Sequence, residues 1–334
     1  MIDLSLIWIV IIAVGVFIYV VLDGFDLGIG ILFPFIKNQQ ERDVMMNTVA
    51  PVWDGNETWM VLGGAGLFAA FPIVYSAVLS ALYLPIILMV IALIFRGVAF
   101  EFRFKANRTK YIWDNAFIWG SIVASFLQGV ILGAYIQGID IVDNRYAGGG
   151  FDWLTPFSLF TGLGVVVVYA ALGCGWLIMK TDDILQKHMY KLMPKLLIGL
   201  LVIFIAVSIY TPIAHPQIAE RWFNPTQLIY FSPVPLLVLV CTVLAVRSCI
   251  KQNEAMPFLY TLGLVFLAYS GFCISIFPYI IPPSITIWDA AAPANSQLFA
   301  LIGALILIPI ILVYTALSYW VFRDKVRVGD EGYH

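Results

Sequence analysis

Charge is scarce in this chain. Only 11% of its 334 residues are Asp, Glu, Lys or Arg, while 62% are hydrophobic; soluble domains carry about 25% charged residues. That shortage excludes a soluble globular class. Runs of about 20 apolar residues, each enough to cross the bilayer as helix, recur from end to end and leave no room for a separate soluble domain. Histidine is scarcer still. His188, His215 and His334 fall in two connecting segments and the tail, which excludes a haem iron ligated by histidine inside a helical bundle. Cys174, Cys241, Cys249 and Cys273 lie within apolar runs, with no C-x-x-C spacing. They read as packing residues, not as a disulfide framework or zinc site. There is no phosphate-cradling G-x-x-x-x-G-K-[ST], no nucleophile elbow and no basic tract suited to nucleic acid.

What is present reads as an all-α membrane protein with nine transmembrane helices. They are expected near 6–33, 58–74, 76–96, 115–137, 157–179, 196–213, 228–247, 258–280 and 298–321. The opening stretch, MIDLSLIWIVIIAVGVFIYVV, lacks a positive n-region and a small-residue cleavage site, so it reads as a retained span. Residues 41–53, ERDVMMNTVAPVW, read as a short interfacial helix or loop. Sixteen of the 18 basic residues follow odd-numbered spans, and only Arg145 and Arg221 follow even ones. The positive-inside rule then places the N-terminus outside, in the periplasm, and the C-terminus in the cytoplasm.

An internal echo accompanies this pattern. Val16-x-x-Tyr19-x-x-Leu22 is matched by Val166-x-x-Tyr169-x-x-Leu172, and Arg96 by Arg247. The spacing suits two four-helix units, 1–140 and 150–285, plus a peripheral ninth helix at 295–322 within one membrane domain; chance matching of apolar sequence is the other explanation. Asp23 is answered by Gly173, so its acid belongs to the first unit alone.

Three clusters carry the chemistry. In LDGFDLGIG (22–30), Asp23 and Asp26 share a helix face, and Asp23 sits roughly 26 Å from the outer end of its span, in the cytoplasmic third of the bilayer. Charge there is costly, so both acids must face protein or water. They either handle protons or cations or hydrogen-bond a neighbouring helix. In PVWDGNETW (51–59), Asp54 and Glu57 again stand three apart, beside Asn56, Trp53 and Trp59. They either join the same site or cap the second span. In FRGVAFEFRFK (95–105), Arg96 and Arg103 either anchor the membrane interface or support the acids, and Glu101 either joins them or pairs with Lys105 one turn on. All three clusters converge on one membrane face, as a proton inlet requires. An independent proton- or cation-coupled transporter and a purely structural membrane subunit are the other classes that fit.

The segments DGFDLGIG (23–30), APVWDGNETW (50–59), FRGVAFEFR (95–103), PPSITIWDAAAP (282–293) and SYWVFR (318–323) resemble subunit II of the cytochrome bd-type quinol oxidases, and the short chain and Glu101 resemble its cyanide-insensitive branch. The resemblance implies a multi-pass protein of the bacterial inner membrane. It implies a partner, subunit I, that holds two b-type haems and a d-type haem, oxidises quinol outside and reduces oxygen to water. This chain would bind no haem itself. A structural quinone and a small accessory subunit occur in some members and are left open here. Positions matching Asp23, Asp54 and Glu101 are associated in relatives with a cytoplasmic proton path. On the residues themselves, Asp26 and Glu57 are further candidates, as pathway or structural members, with Asn56, Trp59, Arg96 and Arg103 in support. Some relatives carry Asp at the position of Glu101, and some carry His at that of Val52, so no histidine relay is transferred.

Overall fold

Local signals in the sequence set most helix boundaries. Asp3 caps α1, Leu4–Leu32, its carboxylate accepting from the Leu6 amide at 3.1 Å. A single 3-10 turn, Phe33–Phe35, closes it. Asn38 caps the short helix α2, Gln39–Asn47, where an interfacial element was expected. Then follow α3, Trp53–Ala70; α4, Pro72–Ala81; α5, Tyr83–Arg103; and α6, Lys110–Gln137. Thr155 and Ser158 form a reciprocal capping box ahead of Pro156, and launch α7, Pro156–Lys180. The remaining helices are α8, Asp183–Ala214; α9, Pro216–Trp222; α10, Pro233–Ile250; α11, Met256–Ile276; and α12, Ala294–Val321. The structure, a computed structural model, describes residues 3–214, 216–224 and 232–330. His215, His334 and the beginning of the expected seventh span lie outside them.

Among the described residues, eight helical segments are long and apolar enough to cross a membrane. They include α1 with its closing turn, α5 to α8, and α10 to α12. Helix α3, counterpart of the expected second span, is not one of them, because its first two turns carry Asp54, Asn56 and Glu57. The expected third span, drawn from residue 76, is interrupted in the structure. Helix α4 ends at Ala81, Leu82 leaves helical geometry with φ −116° and ψ 19°, and α5 restarts at Tyr83. The reason is Pro85, which has no N–H to donate to the Ala81 carbonyl four residues back.

Two small antiparallel hairpins sit in the longer connections. Strand β1, Ile141–Val142, pairs with β2, Arg145–Tyr146, through Asp143 and Asn144, both with positive φ, as a two-residue I′ turn requires. Strand β3, Tyr279–Ile281, pairs with β4, Ile285–Thr286. The Ala292 amide donates to the Ala70 carbonyl at 2.8 Å, tying the second hairpin's segment to the end of α3.

Helices α1 and α7 cross at the centre. A Cβ on Gly28 would lie 1.9 Å from the Tyr169 carbonyl oxygen, and one on Gly173 would meet the Gly28 backbone at 2.6 Å. Only glycine at both positions permits this approach. Phe25 stacks on Trp176 beside it, with centroids 4.2 Å apart. The echoed tyrosines meet here too. Gln128 Nε2 of α6 donates to the Tyr19 hydroxyl at 2.7 Å, and the Tyr169 hydroxyl donates to Gln128 Oε1 at 2.6 Å.

Candidate functional site

The site is built on one guanidinium. Arg96, in the fourth turn of α5, is fully buried, as are Asp23 and Asp26 on α1. Its Nη1 donates to Asp23 Oδ1 at 2.7 Å and to Glu57 Oε1 at 2.9 Å, while Nη2 lies 3.7 Å from Asp26 Oδ2. Three carboxylates therefore share one cation. Trp53 and Phe100 stack on each other, centroids 5.0 Å apart, and the guanidinium sits over both rings at 5.9 and 5.8 Å. An aromatic wall of this kind favours Arg over Lys, because the planar guanidinium stacks.

Asp26 has a second line of contact. Asn56 Nδ2 donates to Asp26 Oδ2 at 2.7 Å, and the Tyr319 hydroxyl of α12 donates to Asn56 Oδ1 at 2.8 Å. Beside them is a cavity of about 10 Å³ lined by Val52, Gly55, Asn56, Tyr314, Thr315 and Tyr319. That is about the size of one water. The Thr315 hydroxyl and Asp26 Oδ1 are buried polar atoms with no hydrogen-bond partner in the protein, the sort of groups that buried water satisfies.

Of the residues expected from sequence, the structure brings together Asp23, Asp26, Glu57, Arg96 and Asn56. Trp59 is buried close by in sequence, on α3. Asp54 is exposed in the first turn of α3 and does not cap it; neither does Asn56, since Val52 holds the cap position with no side-chain bond. Glu101 lies outside the buried cluster. Its side chain is 62% exposed and pairs only loosely with Lys105, at 3.7 Å. Arg96 and Arg103 do not reach out to the surface as interface anchors, for both are completely buried.

Arg103 instead centres a second network that sequence reasoning missed. Its Nε donates to Asp114 Oδ1 at 2.5 Å, its Nη1 to Asp43 Oδ1 at 2.6 Å and its Nη2 to Gln39 Oε1 at 3.2 Å. Arg42 reaches Asp114 at 3.0 Å, and Lys110 reaches Asp43 at 2.9 Å. These bonds pin α2 against the C-terminal end of α5 and the N-terminal end of α6. The available signal was the excess of cations over acids between residues 96 and 110, which calls for carboxylates from elsewhere in the chain.

A third cluster fixes the tail. Lys180 donates to the carbonyls of Phe322 and Asp324, and the Val326 amide donates to the Lys180 carbonyl. Lys325 reaches both Asp182 and Glu254 at 2.6 Å. The hydrogen bond from Lys325 holds the Asp182 carboxyl below its ordinary range, and Lys325 with Gln186 does the same to Glu254. Among the described residues, no three His, Cys, Asp or Glu side chains are grouped so as to hold a metal ion.

Comparison with known proteins decides what this scaffold is. The sequence pattern of the family described as cytochrome bd terminal oxidase subunit II matches residues 4–322. The chain belongs to that family. As a subunit II it resembles the cytochrome bd-I ubiquinol oxidase subunit 2 of Escherichia coli (strain K12), 31% identical over 371 residues, covering 98% of this chain and 96% of that one. It also resembles the cytochrome bd ubiquinol oxidase subunit 2 of Bacillus subtilis (strain 168), 30% identical over 329 residues and 96% of each chain. In fold, this subunit II matches a chain of the bd oxidase from Geobacillus thermodenitrificans with a TM-score of 0.77, 17% identity, and coverage of 96% of this chain and 99% of that one. It is thus a multi-pass membrane subunit of a respiratory oxidoreductase, built to assemble with a subunit I.

Proposed function

We propose that this chain is the haem-free subunit of a respiratory quinol:oxygen oxidoreductase, stabilising the haem-bearing subunit I and conducting cytoplasmic protons toward its oxygen-reduction site. The observation that carries the reading is the imbalance at Arg96: Asp23, Asp26 and Glu57 bring three carboxylates to one buried guanidinium. An uncompensated charge in such a place costs several kcal/mol. An acid-rich cluster whose charge one guanidinium does not balance, and that touches the surface through Glu57, whose side chain is 26% exposed, is suited to take up and pass on protons.

In this reading Asp54 and Glu101 collect protons at the cytoplasmic face, Glu57 carries them inward, and the Asp23–Arg96–Asp26 group stores them. Asn56 and Tyr319 hold Asp26 in place from the α12 side. The chain crosses the membrane nine times, α3 included, as two four-helix units and a peripheral helix, with the N-terminus periplasmic. His188, the one histidine among the described residues, lies 3.9 Å from Glu41 with its side chain 52% exposed, a poor position from which to ligate a buried haem iron. The haems of subunit I supply the oxygen chemistry. Electrons arriving from quinol outside and protons arriving from inside would charge the membrane without a pump. The chain alone is not catalytic.

The test is quinol-driven oxygen uptake by the purified complex carrying Asp23→Asn or Asp54→Asn. Slowed oxygen reduction with haem content intact supports proton conduction. Haem lost together with activity would make these acids scaffold only, and a complex with unchanged turnover would overturn the reading.

A further inference from the structure

A second cavity, remote from Arg96, opens where the turn after α1 meets the start of α8. It holds about 220 Å³ and is lined by Phe35, Ile36, His188, Met189, Lys191, Leu192 and Lys195. His188, Lys191 and Lys195 recur at helical spacing, so they stand on one face of α8. Ile36 and Met189 are buried, whereas Phe35 is 67% exposed. The cavity is thus cationic along one side and apolar beneath and opposite.

The length of α8 sets its depth. A 32-residue helix is about 48 Å long, against roughly 30 Å of hydrocarbon. Residues 195–214 alone suffice to cross, so Lys195 stands at the level of the lipid headgroups, with Lys191 and His188 one and two turns further out. Neither lysine forms an ion pair among the described residues. The carboxylate paired with this face is Glu41, 3.9 Å from His188. Nothing in the proton reading uses these residues.

We infer that this cavity binds the phosphate of an anionic phospholipid from the cytoplasmic leaflet, held by Lys191 and Lys195 with its first acyl carbons against Phe35 and Leu192. The unpaired cations favour an anion, and an exposed phenylalanine beside them favours one that carries hydrocarbon. Free phosphate would gain nothing from that wall. The lipid would seal the junction between the end of α1 and α8, where a lysine-lined gap otherwise faces the bilayer.

The test uses the complete purified oxidase in detergent, titrated with phosphatidylglycerol and followed by native mass spectrometry. Phosphatidylcholine of matched acyl chains and inorganic phosphate are the comparison probes. The wild-type complex is expected to retain one phosphatidylglycerol in preference to phosphatidylcholine. Lys191→Gln with Lys195→Gln should weaken that binding roughly 20- to 30-fold, taking each lysine as worth about fivefold, and Lys191→Arg with Lys195→Arg should retain it. Phe35→Asp, a change at an exposed position, should abolish lipid retention independently. The inference is overturned if the glutamine pair binds phosphatidylglycerol as the wild type does, if phosphatidylcholine is retained equally, or if inorganic phosphate at equal concentration displaces the lipid. The haem spectrum of each variant verifies assembly.

Discussion

Replacing Arg96 by Gln is the perturbation whose cost the structure defines most sharply. The change removes hydrogen bonds of 2.7 and 2.9 Å to Asp23 and Glu57 and the 3.7 Å contact with Asp26. It leaves three carboxylates without a cation at a site where Asp23 and Asp26 have no exposure at all. Breaking a buried ion pair from one side costs about 3–5 kcal/mol, mostly because the abandoned charge stays buried. Loss of the two cation–π contacts adds about 1 kcal/mol. Asp23→Asn is far milder, about 1 kcal/mol, because the amide oxygen still accepts from Arg96 and Glu57 still neutralises it. If the cost of Arg96→Gln is abandoned charge, adding Asp23→Asn to it must return part of the loss, with a coupling of about 0.5–3 kcal/mol. The assay is the thermal midpoint of the purified oxidase complex, read from haem absorbance. Because a haem-bearing complex does not unfold in one two-state step, the ranking decides: wild type, Asp23→Asn, the double variant, then Arg96→Gln. A double variant below Arg96→Gln, or an Arg96→Gln complex as stable as wild type, would refute the charge-counting argument.

Other consequences are simpler to check. Tyr319→Phe removes the hydroxyl that binds Asn56; it should cost about 1 kcal/mol and slow oxygen uptake less than Asp23→Asn does, as measured on the same preparations. Gly28→Ala drives a methyl to 1.9 Å from the Tyr169 carbonyl, so α1 and α7 must separate at a cost of about 1–3 kcal/mol or more, visible as reduced yield of assembled complex. The tail clasp should depend on pH. Asp182 and Glu254 are depressed by their bonds to Lys325, so their stabilisation is present above the ordinary values of 3.8 and 4.5 and is lost as pH falls through their lower folded values. Burial works against the Lys325 charge, but bonds to Asp182 and Glu254 outweigh it and raise the group, so its share is present below 10.5 and lost as pH rises beyond. Hydrogen exchange of residues 322–330 should therefore be slowest, after correction for intrinsic rates, between about pH 5 and pH 10.

The acids at 23 and 26 were legible because a charge within an apolar run has few physical excuses, and their three-residue spacing placed them on one face. Arg96 was legible as a member of the group, but not as its centre. Its depth depends on how far α5 sinks into the bundle, and Gly120 permits that approach: a Cβ there would lie 2.7 Å from the Ala92 carbonyl oxygen and 2.9 Å from the Arg96 nitrogen. Glu101 looked like a partner of the buried acids because its cluster ends a span at the same face of the bundle as theirs, on the helix that carries Arg96. Five residues on, it points elsewhere, and the structure pairs it with Lys105. Asp43 and Asp114 were not legible. Asp43 sits midway along the short polar helix α2 and Asp114 in the second turn of α6, each amid other charges, where acids are ordinarily solvated. Gln128 was hidden for the opposite reason: a neutral amide in an apolar helix carries no charge signal, though the Tyr19 and Tyr169 echo marked both of its partners. The break at Leu82 could have been read from Pro85, four residues past the carbonyl it leaves unbonded.

Helix α3 shows why a hydropathy reading is weakest where polar side chains bind helices to one another. Trp53–Ala70 bears Asp54, Asn56 and Glu57 at one end and Gly63, Gly64 and Gly66 further along, so neither end gains much from lipid. A helix like this is held by neighbours: Glu57 by Arg96, Asn56 by Asp26 and Tyr319, and Gly66 by close packing on Ile12. The residues that lower its apolarity are the ones that bind it to α1, α5 and α12. Val61 and Phe68 remain 66% and 63% exposed on the same helix face as Glu57, an apolar stripe running from the turn after Glu57 toward the C-terminal end of α3. A partner helix laid along that face would bury its apolar surface together with the partly exposed Glu57.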